Sequence, residues 1–83
     1  MWGGKGNDVF IYYNGDGSDT IVNYESDVDK IMVFNAVVNP PSVDEAGDVT
    51  FRIGSGQIVV EGASNQYIEI VDGVGNQLKV YNP

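Results

Sequence analysis

Gly3-Gly4-Lys5-Gly6-Asn7-Asp8-Val9-Phe10-Ile11 is the stretch on which the reading of this chain turns. It fits the nine-residue pattern G-G-x-G-x-D-x-U-x, where U is a large apolar residue, at every defined position. Glycine at Gly3, Gly4 and Gly6 lets the backbone take positive φ and turn its carbonyls toward one point. Asp8 adds a hard, charged oxygen, the ligand type that Ca2+ gathers in sets of about six to eight. Phe10, two places after Asp8, then opens a short strand with its side chain pointing inward. Loop and strand together make one half-turn of a parallel solenoid.

A second, degraded unit follows as Asn14-Gly15-Asp16-Gly17-Ser18-Asp19-Thr20-Ile21-Val22. It keeps two glycines, the aspartate and the apolar position, and places Asn14 where the first glycine stood. Asparagine tolerates positive φ better than other non-glycine residues, so the loop survives the change. A third, remote unit ends Asp27-Val28-Asp29-Lys30-Ile31-Met32 and has no glycine. The inward apolar positions are then Phe10, Ile21 and Ile31. Asp8 and Asp19 stand eleven residues apart, and Asp19 and Asp29 ten, so the units drift from a strict nine-residue period. The candidate metal ligands are Gly3, Gly4, Gly6 and Asp8 in the first loop and Gly15, Asp16, Gly17 and Asp19 in the second. Asp27 and Asp29 complete the set. Two plainer readings stay open. Residues 14–19 also read as an ordinary hairpin loop, and Glu25, Asp27 and Asp29 as solvated surface.

The second half reads differently. Residues 35–47 contain Pro40-Pro41 and form a connector; Ser42 and Glu45 have capping-box spacing, which allows one helical turn at most. Val49, Phe51 and Ile53 alternate with Thr50 and Arg52, as a half-buried strand does. A two-residue turn at Ser55-Gly56 would set Ile53 against Ile58 and Phe51 against Val60. Tyr67 to Val71 and Gln77 to Tyr81 flank a second loop, residues 72–76. In the simplest register Ile68 faces Val80, Ile70 faces Leu78 and Glu69 faces Lys79. The expected fold is all-β, one domain over residues 1–83. Short degenerate parallel β-roll turns (residues 2–34) lead through the connector to antiparallel β-hairpins (residues 48–81), with little or no helix. The tail is expected to fold back as a small sandwich rather than continue the roll.

Twelve acidic residues against four basic ones, with no histidine and no cysteine, give a net charge of −8. That charge disfavours nucleic acid and anionic membranes as partners and favours cations. No apolar run approaches the ~20 residues of a membrane span. Without His or Cys the usual catalytic triads are missing, and a narrow β-domain leaves little room for a glycosidase cleft, so no enzymatic activity is expected. Trp2, Tyr12, Tyr13 and Tyr24 could stack on a sugar; covering the core is the plainer role. Met1-Trp2-Gly3-Gly4 shows neither a basic nor an apolar region of a signal peptide, and it begins in mid-motif. The expectation is a fragment of a longer protein.

The succession GGKGNDVFIY, GDGSDTI, a DKI element and a strand-rich DVTFRIGSGQIVV resembles the terminal unit of the haemolysin-type calcium-binding repeat (RTX) family. The resemblance is closer over residues 3–34 and looser over residues 48–81. It implies an extracellular module of a bacterial protein exported by type I secretion, with calcium ordering the repeats and neighbouring repeats of the parent chain as partners. In that family the metal sits between loops two units apart on one edge of the roll. The loop at residues 3–8 would then need a partner near residues 25–29. The loop at residues 14–19 would need one further on, where no glycine loop is expected. The implied function is a calcium-binding structural module; the competing one is a calcium-independent β-domain that caps a repeat array or serves adhesion or assembly.

Overall fold

Valine, isoleucine, phenylalanine and tyrosine fit a pleated, half-buried surface, and the runs rich in them become strands. The structure, a computed structural model, describes residues 9–26 and 28–83. Its strands are β1 (Val9–Tyr13), β2 (Ser18–Ile21), β3 (Lys30–Phe34), β4 (Ser42–Val43), β5 (Val49–Ile53), β6 (Gly56–Val60), β7 (Ile68–Val71) and β8 (Gln77–Tyr81). They form two four-stranded sheets, ordered β1-β3-β7-β8 and β2-β6-β5-β4. No helix occurs among the described residues, and the chain is all-β as expected.

The core lies between the two sheets. Phe10, Tyr12, Ile31, Val33, Ile68 and Ile70 enter it from the first sheet. Ile21, Val49, Phe51, Ile53, Ile58 and Val60 enter it from the second. Phe10, Ile21 and Ile31, the inward positions of the three units, are all buried.

Four expectations are corrected. First, the chain keeps alternating between sheets beyond residue 34. β6 lies parallel to β2, and β7 lies parallel to β3, which is itself parallel to β1. The tail therefore completes both sheets instead of folding into a separate sandwich. Second, the β5–β6 turn is Gly54-Ser55, and Ile53 pairs with Gly56, Phe51 with Ile58 and Val49 with Val60. Gly54 has φ +57, and a two-residue turn with glycine at its first position suits the twist of a hairpin. The shift of two residues keeps every apolar side chain on its face, so periodicity alone did not distinguish the two registers.

Third, the β7–β8 register changes between Ile70 and Val71: Val71 pairs with Gln77, but Ile70 pairs with Lys79 and Glu69 with Val80. Leu78 is the extra residue of a bulge, so Glu69 and Lys79 do not face each other. Fourth, the connector holds a short strand, β4, in place of an unpaired link. Ser42 and Val43 pair antiparallel with Thr50 and Val49, and Val38 bridges to Ile53.

The loops after β4 and β7 share one construction. Asp44 Oδ1 accepts the amides of Ala46 (2.9 Å) and Asp48 (3.0 Å), while Asp72 Oδ1 accepts those of Val74 and Asn76 (both 2.9 Å). Each loop places a glycine, Gly47 or Gly75, at positive φ in its fourth position. A carboxylate that bonds its own following amides organises a turn locally. These amides, that of Asn76 foremost, hold the Asp72 carboxyl below the usual aspartate range. A lowered folded-state pKa means that the stabilisation is present above the unfolded value and is lost as pH falls through the folded one. Acid titration followed by NMR should therefore move the Val74 and Asn76 amides together, at a pH below the normal aspartate midpoint. Asp72→Ala should abolish that transition.

Candidate functional site

The loop between β1 and β2, residues 14–17, is built by short-range hydrogen bonds. The Tyr13 amide donates to Asp16 Oδ2 (2.8 Å), the Asp16 amide returns to the Tyr13 carbonyl (3.0 Å), and the Asn14 amide reaches the Phe34 carbonyl (3.1 Å). Gly15 and Gly17 have φ of +94 and +82, the left-handed region in which glycine meets no Cβ penalty. This geometry turns the Gly17 carbonyl to the interior, where it accepts the Tyr12 hydroxyl (2.6 Å) and the Gln57 amide (3.0 Å).

The partner of this loop is the turn between β5 and β6. A Cβ at Gly56 would collide with the Tyr12 hydroxyl and the Gly17 carbonyl. A Cβ at Gly54 would stand 3.3 Å from Asn14 Oδ1. Gly54-Ser55-Gly56 thus lies against residues 14–17, correcting the expectation that no glycine loop remains to face them. Only the parallel pairing of β2 with β6, some 40 residues apart (Asp19 beside Ile58), creates the contact.

Asp16 is exposed and Asp19 half-buried, on the same side of β2 as the buried Ile21. Both lie close enough to Tyr12 to act on its hydroxyl, which burial first, then Asp16 and Asp19, hold above the ordinary tyrosine value against the pull of the Gly17 carbonyl. Among the described residues no hydrogen bond to the Asp19 carboxylate is found. The structure therefore places Gly15, Asp16 and Gly17 in the loop and Asp19 in β2, with both aspartates acting on Tyr12. Tested as a calcium site, the loop supplies the two carboxylates. The Gly17 carbonyl already accepts two hydrogen bonds, which uses both its lone pairs. Among the described residues no three carboxylates gather into a metal-sized group. Two acids fall short of the oxygens Ca2+ requires, so water or further ligands would fill the shell.

Asp29 takes no part in this loop, because it precedes β3 while residues 14–17 follow β1, and the two strands run parallel. Nor is it surface: it is 5% exposed and its Oδ2 accepts the Glu25 amide (2.9 Å). Gln66 secures the same turn, accepting from the Ser26 amide (3.0 Å) and donating to the Tyr24 carbonyl (2.8 Å). Nothing in the sequence pattern marks Gln66, since it acts across some 40 residues. Gly3, Gly4, Gly6, Asp8 and Asp27 lie outside the described residues.

The aromatic platform for sugar is not formed as a set. Tyr12 and Tyr24 are buried, and Tyr13 stacks on Phe34 with centroids 5.0 Å apart and planes at 19°. Trp2 lies outside the described residues. Burial pushes the Tyr24 hydroxyl up to about 12.

Two outcomes are expected. Gly56→Ala should destabilise the fold by about 1–3 kcal/mol in denaturant unfolding, because the added methyl has backbone on one side and a buried ring on the other. Tyr24 keeps its proton in the folded state where the unfolded chain loses it. Stability is thus full below the ordinary tyrosine value and falls as pH rises toward about 12. Thermal melts across that range should show the fall, and Tyr24→Phe should flatten it. The chain matches no protein-family model, no curated protein and no solved structure.

Proposed function

We propose that this chain is a non-catalytic, calcium-responsive structural module of a secreted, extracellular bacterial repeat protein of the RTX type. The observation that carries the reading is Asp19. This half-buried residue lies in β2 just after a loop turned by two positive-φ glycines, and its carboxylate, like that of Asp16, acts on Tyr12, with no hydrogen bond to it among the described residues. A half-buried charge that finds no donor among the described residues is costly to hold, and a hard divalent cation would offset that cost. Asp16 and Asp19 would be the protein's ligands in this loop, joined by water. By resemblance Gly3, Gly4, Gly6 and Asp8 would serve a second site, and neighbouring repeats of the parent chain would extend the array. A cation that binds only the folded state stabilises it by mass action. Extracellular modules work at about 10⁻⁴–10⁻³ M, which suits a protein that must stay unfolded before export.

A second reading has its own support. Asp16, Asp29, Asp44, Asp48 and Asp72 each accept at least one backbone amide, and one core of apolar side chains spans both sheets. The backbone-bonded aspartates favour a calcium-independent β-domain serving as a cap or in assembly. No helix among the described residues is long and apolar enough to cross a membrane, and neither reading calls for one.

A calcium titration followed by ¹H–¹⁵N NMR, from chelator to about 10 mM, separates them. Saturating shifts at Gly15, Asp16, Gly17 and Asp19, absent with Mg2+ and lost in Asp19→Asn, are expected for the calcium module. A folded spectrum indifferent to calcium would leave the second reading in its place.

A further inference from the structure

Asparagine or aspartate stands directly before glycine at three places in this chain: Asn14-Gly15, Asp16-Gly17 and Asp72-Gly73. Such a step can close a five-membered imide, because the glycine nitrogen follows the acidic or amide residue directly and no side chain screens it. The fold treats the three steps differently. Asp16 Oδ2 accepts the Tyr13 amide (2.8 Å), and Asp72 Oδ1 accepts those of Val74 and Asn76 (both 2.9 Å). An ionised carboxylate, moreover, has no neutral leaving group to expel. Asn14 has one, its side-chain NH2. Among the described residues neither that side chain nor the Gly15 amide takes part in a hydrogen bond. Both residues are exposed, and the space around Gly15 is open: a Cβ there would meet nothing within 4 Å beyond its chain neighbours.

The turn that holds this pair leaves the reacting atoms free. Asn14 and Gly15 are its second and third residues, closed by the Asp16 amide on the Tyr13 carbonyl (3.0 Å), and the Asn14 amide bonds the Phe34 carbonyl (3.1 Å). Neither bond uses the Gly15 nitrogen or the Asn14 side chain. Other asparagines are less open to the reaction. Asn39 and Asn82 precede prolines, which have no N–H. Asn23, Asn35, Asn65 and Asn76 precede residues with side chains, and the amide after Asn65, that of Gln66, is bonded to the Ala63 carbonyl (3.0 Å). We infer that Asn14-Gly15 is a self-modification site, at which the exposed loop between β1 and β2 converts Asn14 to aspartate without an enzyme. The Gly15 nitrogen gives up its proton to water and attacks Cγ of Asn14. The N–Cγ bond forms as the Cγ–Nδ2 bond breaks, and Nδ2 takes up a proton and leaves as ammonia. Water then opens the imide at either carbonyl, giving aspartate or its β-linked isomer, with no change of oxidation state. The aspartate adds a second carboxylate to the loop, two residues before Asp16, and makes the net charge one unit more negative than −8. The β-linked isomer inserts a backbone carbon inside the turn closed by the Asp16–Tyr13 bond, and so reshapes the loop that turns the Gly17 carbonyl inward. The reaction needs no cation and stands independently of the calcium reading.

Incubation of the folded, full chain at neutral pH, followed by intact mass and isoelectric focusing, should show a slow gain of mass equal to the exchange of NH2 for OH. A more acidic form should grow in step with it, and peptide mapping should place the change at Asn14. Because the Gly15 amide must lose its proton, conversion should quicken as the pH rises from mildly acidic to mildly alkaline. Hydroxylamine, which attacks the imide, should split the chain between residues 14 and 15. Asn14→Gln, whose longer side chain would have to close a six-membered ring, should keep its mass over the same time and resist the split. Asn14→Asp should focus with the aged protein from the start. Three results would overturn the inference: Asn14 intact in the folded protein over a time that converts it in urea, a gain of mass undiminished in Asn14→Gln, or conversion spread over the other asparagines.

Discussion

The Gly17 carbonyl is the point on which this fold is hinged. It accepts the Tyr12 hydroxyl from one sheet and the Gln57 amide from the other, and Gly56 comes against it with no side chain between. Such an approach is open only to glycine on the hairpin side and to a positive-φ residue on the loop side. The loop at residues 14–17, the last core residue of β1 and the start of β6 are thereby held in one place. With β6 fixed beside β2, the three-stranded unit β4-β5-β6 completes one sheet, and the chain returns through β7 to complete the other. Two sheets that exchange strands along the chain cannot fold separately, since the core residues of each lack a cover until the other forms.

Most of the described aspartates act first as turn formers. Asp44 and Asp72 organise two loops of the same hydrogen-bonded design, Asp29 closes the turn before β3, Asp16 bonds the Tyr13 amide, and Asp48 reaches the Gly62 amide (2.8 Å). An acidic composition is therefore a consequence of many short loops as much as of any affinity for cations. Among the described aspartates Asp19 is the exception. It sits in a strand, half-buried, where a carboxylate has no turn to organise.

The two sheets meet solvent differently. β5 and β6 alternate apolar and polar residues, placing Thr50, Arg52, Gln57 and Val59 outside. β1 and β3 are apolar almost throughout, and their outer faces carry Val9, Ile11, Tyr13, Met32 and Phe34. Strands of parallel sheets read this way when both faces are covered. The Tyr13–Phe34 stack covers part of that surface, and the edge of β1 continues it.

Short-range chemistry was legible in the sequence: strand segments, the inward positions Phe10, Ile21 and Ile31, and the glycine-turned loop at residues 14–17. Each depends on alternation or on a glycine's φ, which a few neighbouring residues dictate. The two hairpin registers were read wrongly for a local reason as well. A shift of two residues preserves the face of every side chain, and a bulge at Leu78 inserts a residue that no pattern announces. The tertiary structure alone decided that Gly54-Ser55-Gly56 lies against residues 14–17, that Gln66 clamps the turn at Tyr24 and Ser26, and that Asp29 is buried. Those contacts join segments roughly 40 residues apart in most cases, and their energy exists only once β2 has found β6 and β3 has found β7. Sequence periodicity carries which side of a strand faces inward, but not which distant strand will lie beside it.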